Sequence, residues 1–310
     1  MCNIDMLKDI NRFSEWKTIE RINKGWSEDI KFYLEDIHGN KYILRISNIY
    51  LYEKRKSEYE YLKELSRFGL NMSIPVEFGL CNNENNVYML LEWIEGKDAI
   101  EILPRLSKQE QYELGIEAGK ILKQIHSIKP NLPQELWEDK FKKKINSGII
   151  AYQKSDYPIP YDKDIINYIK QNEIYLKGRE NTFQHGDYHL GNMIITSDNK
   201  LGIIDFNRCS FGDPWEEYDR FIFSWDNSID FANGQIHGYF NNMVPDEFFR
   251  LMCFYNAINS LVSITWAIQF GETEIKVSLS NIEKYYKVYN SYNNHIPDWY
   301  EEPKRKNIGK

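Results

Sequence analysis

The sequence has few cysteines, and none of them are arranged to do chemistry. Cys2, Cys81, Cys209 and Cys253 lie far apart, so there is neither the paired spacing of a zinc site nor a Cys-x-x-Cys redox motif. A disulfide framework is not expected, which fits a reducing cytoplasm. A basic surplus is also missing: 39 Lys and Arg stand against 46 Asp and Glu, a net charge of −7. This argues against nonspecific nucleic-acid binding, which needs a basic face, and suits a cationic or metal-chelated partner. Residues 1–15 lack the uninterrupted apolar stretch of a signal peptide, because Asp5, Lys8, Asp9, Arg12 and Glu15 break it. One charge-free stretch, 251–270, is long enough to test as a membrane span. Within it Asn256, Asn259, Ser260 and Ser263 recur at helical spacing and form a polar stripe. That pattern favours a buried helix with one hydrogen-bonding face over a span. There is no internal repeat, no low-complexity segment and no Gly-x-Gly-x-x-Gly loop.

What the chain does have is material for a core. Hydrophobic residues make up 42% and aromatic residues 15%, including 22 Tyr, which excludes disorder over most of the length. A length of 310 residues allows one large domain or two lobes. Residues 18–23, 29–35 and 41–47 read as strands, separated by the turn-like Lys24-Gly25-Trp26 and His38-Gly39-Asn40. A charged helix is expected over 52–67, then strands over 73–78 and 87–93. From Gly96 the periodicity becomes helical, over 108–128, 137–154 and 162–176, with Ser107 and Glu110 placed as a capping box. A strand-rich block followed by a helix-rich block predicts an α+β protein of two lobes, residues 1–95 and 96–310.

The informative stretch is 183–219. It holds His185-Gly186-Asp187, then Asn192, then two short apolar strands, 193–196 and 201–204, joined by the polar turn Ser197-Asp198-Asn199-Lys200. Asp205 follows at once. A hairpin there folds the chain back, so Asn192 before it and Asp205 after it are expected side by side, with Asp187 in the loop just ahead. Hard oxygen ligands of this kind suit magnesium, which takes one or two carboxylates together with substrate phosphates.

Asp187-x-x-x-x-Asn192, a hairpin, and Asp205 have the spacing of a kinase catalytic loop followed by a metal-binding aspartate. With Gly212-Asp213-Pro214 the set resembles the aminoglycoside phosphotransferase family, and the likeness runs over nearly the whole chain. It implies a protein-kinase-like fold, with a small antiparallel sheet lobe that binds ATP or GTP and a larger, mostly helical lobe. It implies that Asp187 accepts the proton of the substrate hydroxyl, and that Asn192 and Asp205 hold Mg2+ against the nucleotide phosphates.

The resemblance also implies a nucleotide site in the first lobe. Gly25 and Ser27 occupy the loop over the phosphates. Ile43 and Arg45 share one face of a strand, so Ile43 can cover the base and Arg45 can reach phosphate, where kinases use Lys. Glu58 is the candidate ion-pair partner of Arg45, with Glu60 nearby as the other choice. Backbone groups of Glu92 and Ile94 meet the base. Several departures point to a small-molecule kinase without a phospho-switch: Gly186 stands where protein kinases carry Arg, Asn207 where they carry Gly, and no Ala-Pro-Glu follows. Glu217 replaces the Asp usual in antibiotic kinases and is expected to be structural, for example as a helix cap. His185 is expected to order the loop by hydrogen bonding, and His189 to be structural or exposed.

The implied reaction transfers a terminal phosphate to a hydroxyl of an aminoglycoside-like antibiotic, conferring antibiotic resistance. The acceptor is expected to be cationic and to meet carboxylates among Asp226, Asp230, Glu272 and Glu274, with Trp225 and Trp266 as walls. The alternatives are a metabolic kinase for choline, a sugar or an amino alcohol, and a nucleotide-binding pseudo-kinase regulator. A cytoplasmic monomer that binds neither nucleic acid nor membrane is expected.

Overall fold

Alternating apolar residues in the first ninety positions dictate a sheet with one buried face. In the computed structural model, which describes residues 4–23 and 28–303, this sheet begins with β1 (Trp16–Ile22), β2 (Ile30–Asp36) and β3 (Lys41–Asn48). Helix α1 (Tyr52–Ser66) follows, then β4 (Pro75–Cys81) and β5 (Asn86–Glu92). The five strands are antiparallel throughout, in the order β1-β2-β3-β5-β4. Phe32, Leu34, Tyr42, Leu44, Ile46, Tyr88 and Leu90 pack with Leu7, Ile10 and Trp16 to form the core on one face. By the two-residue period, Lys31, Tyr33, Ile43, Arg45, Met89 and Leu91 belong to the other face. The register sets Lys31 beside Arg45 and Tyr33 beside Ile43.

Further along come β6 (Lys97–Asp98), α2 (Ala99–Ile102), α3 (Lys108–Ile125), α4 (Trp137–Gln153), α5 (Asp162–Asn172) and β7 (Thr182–Gln184). The expected capping box at Ser107 and Glu110 is formed. The hairpin strands are β8 (Met193–Ile195) and β9 (Leu201–Ile203). After them come β10 (Ser210–Gly212), α6 (Ile222–Trp225), α7 (Ile229–Phe240), α8 (Asp246–Ala267) and α9 (Glu272–Val288). The fold is thus α+β, with an antiparallel N-terminal sheet and a helical C-terminal part.

The chain divides into two compact units. One comprises 1–98 and 193–207, the other 99–192 and 208–310. A single cut at Glu95–Gly96 therefore does not describe the compact units, because the hairpin returns to the first. The cause is pairing: β6 pairs with β8, β8 with β9, and Met72 bridges to Ile203. The Asn71 amide donates to the Leu201 carbonyl, and Ile203 N–H donates to the Asn71 carbonyl at 2.9 Å.

In the second unit α3 and α7 meet backbone to backbone. A Cβ on Gly115 would lie 2.2 Å from the Phe231 carbonyl oxygen, and one on Gly119 would lie 2.1 Å from that of Gln235. Gly234 and Gly238 reciprocate against Tyr112 and Ile116. Four glycines at i,i+4 spacing let the helices touch with no side chain between them. Helix α8 runs through the main core of the same unit, with Leu251, Phe254, Ala257, Ile258, Leu261 and Ile264 buried. Its polar stripe is satisfied inside the protein. The Asn256 amide donates to the carbonyls of Tyr218 and Asp219, that of Asn259 to Asp219, and the Ser260 hydroxyl to Asn256. The segment 246–270 is long and apolar enough to cross a membrane, yet 67% of its apolar window is buried within the fold.

Candidate active site

The loop carrying Asp187 is fixed from its backbone outward. It leaves β7, which pairs with β10. Gly186 has φ +85°, and a Cβ there would lie 2.2 Å from the Arg208 carbonyl oxygen, so only glycine fits. The Glu217 carboxylate accepts the N–H of His185 at 2.7 Å and that of Gly186 at 2.8 Å. Glu217 therefore caps the loop ahead of Asp187 and not the helix that follows it, a correction to the sequence expectation. His185, fully buried, accepts the Asp187 N–H at its Nδ1, 3.2 Å away, which is the ordering role expected of it. The Asn192 Nδ2 donates to the Asp187 carbonyl at 2.9 Å. Its nitrogen is thus committed to the loop, and the ligand atom it would offer is Oδ1.

Burial pushes the Glu217 carboxyl up to about 7, with neighbouring Glu216 adding to the rise and the adjacent His185 ring and the backbone donors opposing it. His126 sits with Nε2 3.5 Å from Glu217 and Nδ1 2.9 Å from the Tyr239 hydroxyl. Burial pushes its pKa down to about 3, so it is neutral near pH 7.

The Asp187 carboxylate is set among two arginines and a histidine. Arg220 Nη1 lies 2.6 Å from Oδ1, His189 Nε2 lies 3.3 Å from Oδ1, and Arg208 Nε lies 3.9 Å from Oδ2. Burial works to raise this carboxyl, but the His189 hydrogen bond and the Arg220 and Arg208 charges hold it well below the usual carboxylate range. Asp187 is therefore ionised at any working pH. It can orient a hydroxyl and take its proton late, which suits a loose transition state needing positioning more than strong base. Sequence reading missed Arg208 and Arg220, and took His189 as structural or exposed. Arg208 stands three residues after Asp205, and Arg220 ends the short helical turn Glu216–Arg220; nothing in their local pattern separates them from surface arginines.

Within Gly212-Asp213-Pro214, Asp213 is a buried strut. Arg179 grips Asp213 through two nitrogens at 2.7 and 2.9 Å, and the Tyr255 hydroxyl donates to it at 2.6 Å.

In the first unit Asp205 follows β9 by two residues, in the left-handed region at φ +65°. Its Oδ2 lies 3.4 Å from Lys31 Nζ, and its Oδ1 is buried with no hydrogen-bond partner. An orphaned carboxylate oxygen fits a cation. Among the described residues no group of three or more His, Cys, Asp or Glu could hold a metal alone. A single carboxylate with a free buried oxygen suits magnesium completed by phosphate oxygens. Asn192 and Asp205 fall in different compact units.

Arg45 is almost fully buried and does pair with Glu58, Nη1 to Oε1 at 2.6 Å, while its Nη2 meets Asp29 at 2.9 Å. Arg55 makes the same two contacts, at 2.7 Å to Glu58 and 2.9 Å to Asp29. Two arginines and two carboxylates thus form a ring of four ion pairs that sequence reading only half found. Glu60 pairs instead with Lys63 at the surface. The Glu92 N–H is donated to the Ile74 carbonyl at 2.8 Å, and the Ile94 side chain lies over Gly202. Gly25 and Ser27 lie outside the described residues.

The acidic acceptor candidates do not assemble into one cluster. Asp226 pairs with Lys284 at 2.6 Å, and Glu272 lies 3.8 Å from Lys276. Asp230 and Glu274 sit in the first turns of α7 and α9. A cavity in the second unit is lined by Ile222, Phe223, Asp226, Lys276, Ser280 and Lys284. Trp225 stacks on Trp299 and Trp266 packs on Phe270.

Known structures share this architecture. The chain is 18% identical to aminoglycoside phosphotransferase APH(2'')-Ib in its ADP-bound form, with 91% of this chain and 97% of that one covered at a TM-score of 0.65. It is 18% identical to APH(2'')-IIa in a ternary complex with streptomycin and ATP, covering 91% and 96% at 0.65. It is 14% identical to a choline/ethanolamine kinase family protein from Mesorhizobium loti, covering 94% and 96% at 0.68. At these identities the likeness is one of fold. No curated protein matches the sequence. The family model described as the phosphotransferase enzyme family matches residues 18–249, three-quarters of the chain, and the chain belongs to that family.

Proposed function

We propose that this protein is a small-molecule kinase that transfers the terminal phosphate of ATP or GTP to a hydroxyl of an aminoglycoside-like acceptor. The observation that carries the reading is Asp187, held ionised by Arg220, His189 and Arg208 on a loop whose preceding N–H groups are pinned by Glu217. A binding-only protein has no need of such a group. Asp187 orients the acceptor hydroxyl and receives its proton. Asn192 and Asp205 would hold Mg2+, which when bound neutralises charge on the phosphates. The sheet face bearing Ile43 and Arg45 receives the nucleotide, with Gly25 and Ser27 on the loop over the phosphates, Glu58 fixing Arg45, and Glu92 and Ile94 at the base. The reading places the enzyme in the cytoplasm.

The second reading, a kinase for choline or another small amino alcohol, is supported by the likeness to the choline/ethanolamine kinase family protein. The test is a magnesium-dependent phosphorylation screen with ATP and GTP over aminoglycosides, macrolides, choline, ethanolamine and sugars. Phosphorylation of an aminoglycoside supports the first reading. Phosphorylation of choline or ethanolamine alone replaces it with the second, and no transfer to any hydroxyl overturns the kinase assignment.

A further inference from the structure

The nucleotide face of the sheet carries two buried cations side by side, and they are in opposite conditions. Arg45 has both terminal nitrogens on carboxylates, within a ring of four ion pairs. Its remaining Nε is buried with no partner and with less than 1 Å² exposed. Arg45 has neither charge nor reach left to offer. Lys31, its neighbour in the β2–β3 register, is 8% exposed. Among the described residues its ammonium has one partner, Asp205 Oδ2, at a long 3.4 Å.

An ammonium has three donors, and leaving them unmet in a buried site is costly. Asp205 is unmet in the complementary sense, since its Oδ1 accepts nothing. A buried amine short of acceptors beside a half-buried carboxylate with one buried oxygen short of donors is half of a binding site. The ligand that completes both halves carries anionic oxygens for the amine and a cation for the carboxylate, which describes a metal-chelated polyphosphate.

We propose that Lys31, on β2, is the residue that contacts the nucleotide phosphates, and that Arg45 on β3 is a positioning residue that anchors Glu58 and Asp29. This rests on the kinase reading above. In the free protein Lys31 and Asp205 hold each other in place. With nucleotide bound, the amine turns to phosphate oxygens and the carboxylate to the ion. The lysine that kinases carry on the third strand is thereby moved one strand over, to β2.

The experiment measures binding by calorimetry, using magnesium with AMP-PNP or GMP-PNP, whichever the wild type binds more tightly, and the matching nucleoside. Lys31→Met is expected to weaken binding of the triphosphate analogue at least about tenfold and that of the nucleoside less than about twofold, since only the charged hydrogen bonds to phosphate are removed. Lys31→Arg is expected to restore much of the loss. Wild-type affinity for the triphosphate analogue in Lys31→Met overturns the assignment and leaves the kinase reading standing. Failure of the wild-type protein to bind either triphosphate analogue overturns the kinase reading itself. Should Lys31→Met not fold, a nucleotide acyl phosphate gives a second test on the wild type. Attack by a nearby amine breaks the acyl–phosphate bond, forms an amide and releases the nucleotide. Peptide mapping is expected to find the label on Lys31, and a label on another lysine instead rejects the proposal.

Discussion

Arg220 donates from Nη1 to Oδ1 of Asp187 at 2.6 Å, so the proposed base is already half neutralised by a cation from the turn just after Gly-Asp-Pro. A depressed carboxyl is charged above its lowered pKa and loses that charge only as pH falls through it. In the wild type this lies below the working range. Arg220→Ala should therefore raise the acid limb of the pH–rate profile toward ordinary carboxylate values and lower turnover. Asp187→Asn should lower turnover by about 10²-fold or more, the usual worth of a positioned base, with nucleotide affinity unchanged. Steady-state kinetics over a pH series test both.

Glu217 and His126 give a prediction of opposite slopes. Glu217 is raised from 4.5 to about 7, so its contribution to stability is full below 4.5 and is lost as pH rises through 7. His126 is lowered from 6.5 to about 3, so its contribution is full above 6.5 and is lost as pH falls. Between these limits the two offset each other. Glu217→Gln should make stability rise more steeply with pH between 4.5 and 6.5, and His126→Gln should make it fall. Each tilt is up to about 1.4 kcal/mol per pH unit. Denaturant titrations at several pH values read the slopes directly.

The Arg45–Glu58–Arg55–Asp29 ring is buried, and removing one member leaves uncompensated charge. Arg45→Met should cost about 3–5 kcal/mol in unfolding free energy. Lys31→Met removes a single long ion pair and should cost far less. Urea unfolding of both variants checks the contrast.

Asp205→Asn should remove the ability of magnesium to strengthen triphosphate binding, because the carboxylate with the orphaned oxygen becomes a neutral amide. Titration of AMP-PNP with and without magnesium measures it. Equal magnesium enhancement in variant and wild type would count against Asp205 as a ligand.

Gly119→Ala places a methyl 2.1 Å from the Gln235 carbonyl oxygen. The α3–α7 contact must open, at a cost of about 1–3 kcal/mol or more. Thermal melting should show the loss.

Much of this molecule was legible in the sequence, because period-two and period-3.6 patterns report burial directly. The strands around Phe32, Leu44 and Leu90, the helix bearing Glu58, and the polar stripe of α8 all follow from spacing. Asp187, Asn192 and Asp205 stand out because they recur at fixed separations around a short hairpin. Lys31, Asp29, Arg55, Arg208 and Arg220 do not. Each is an ordinary charged residue locally, and apart from the Arg55–Glu58 pair one helical turn apart, its partners come by tertiary contact. Glu217 was noticed as a departure but assigned to the wrong backbone, since sequence does not say which chain segment lies opposite a buried carboxylate. Asp226 and Glu272, named as acceptor candidates, each face a lysine, which spacing along the chain does not reveal.

The hairpin 193–207 belongs to a compact unit whose other residues end at Asp98. A ribosome making this chain releases all five sheet strands roughly a hundred residues before β8 and β9 emerge. Until then Asn71, Met72 and β6 lack their partners, and Lys31 lacks Asp205. The first unit can begin to form early but cannot be finished until most of the second has been synthesised. Excised residues 1–98 would accordingly be an unfinished fragment, and dissection of the protein into working halves must carry the hairpin with the sheet.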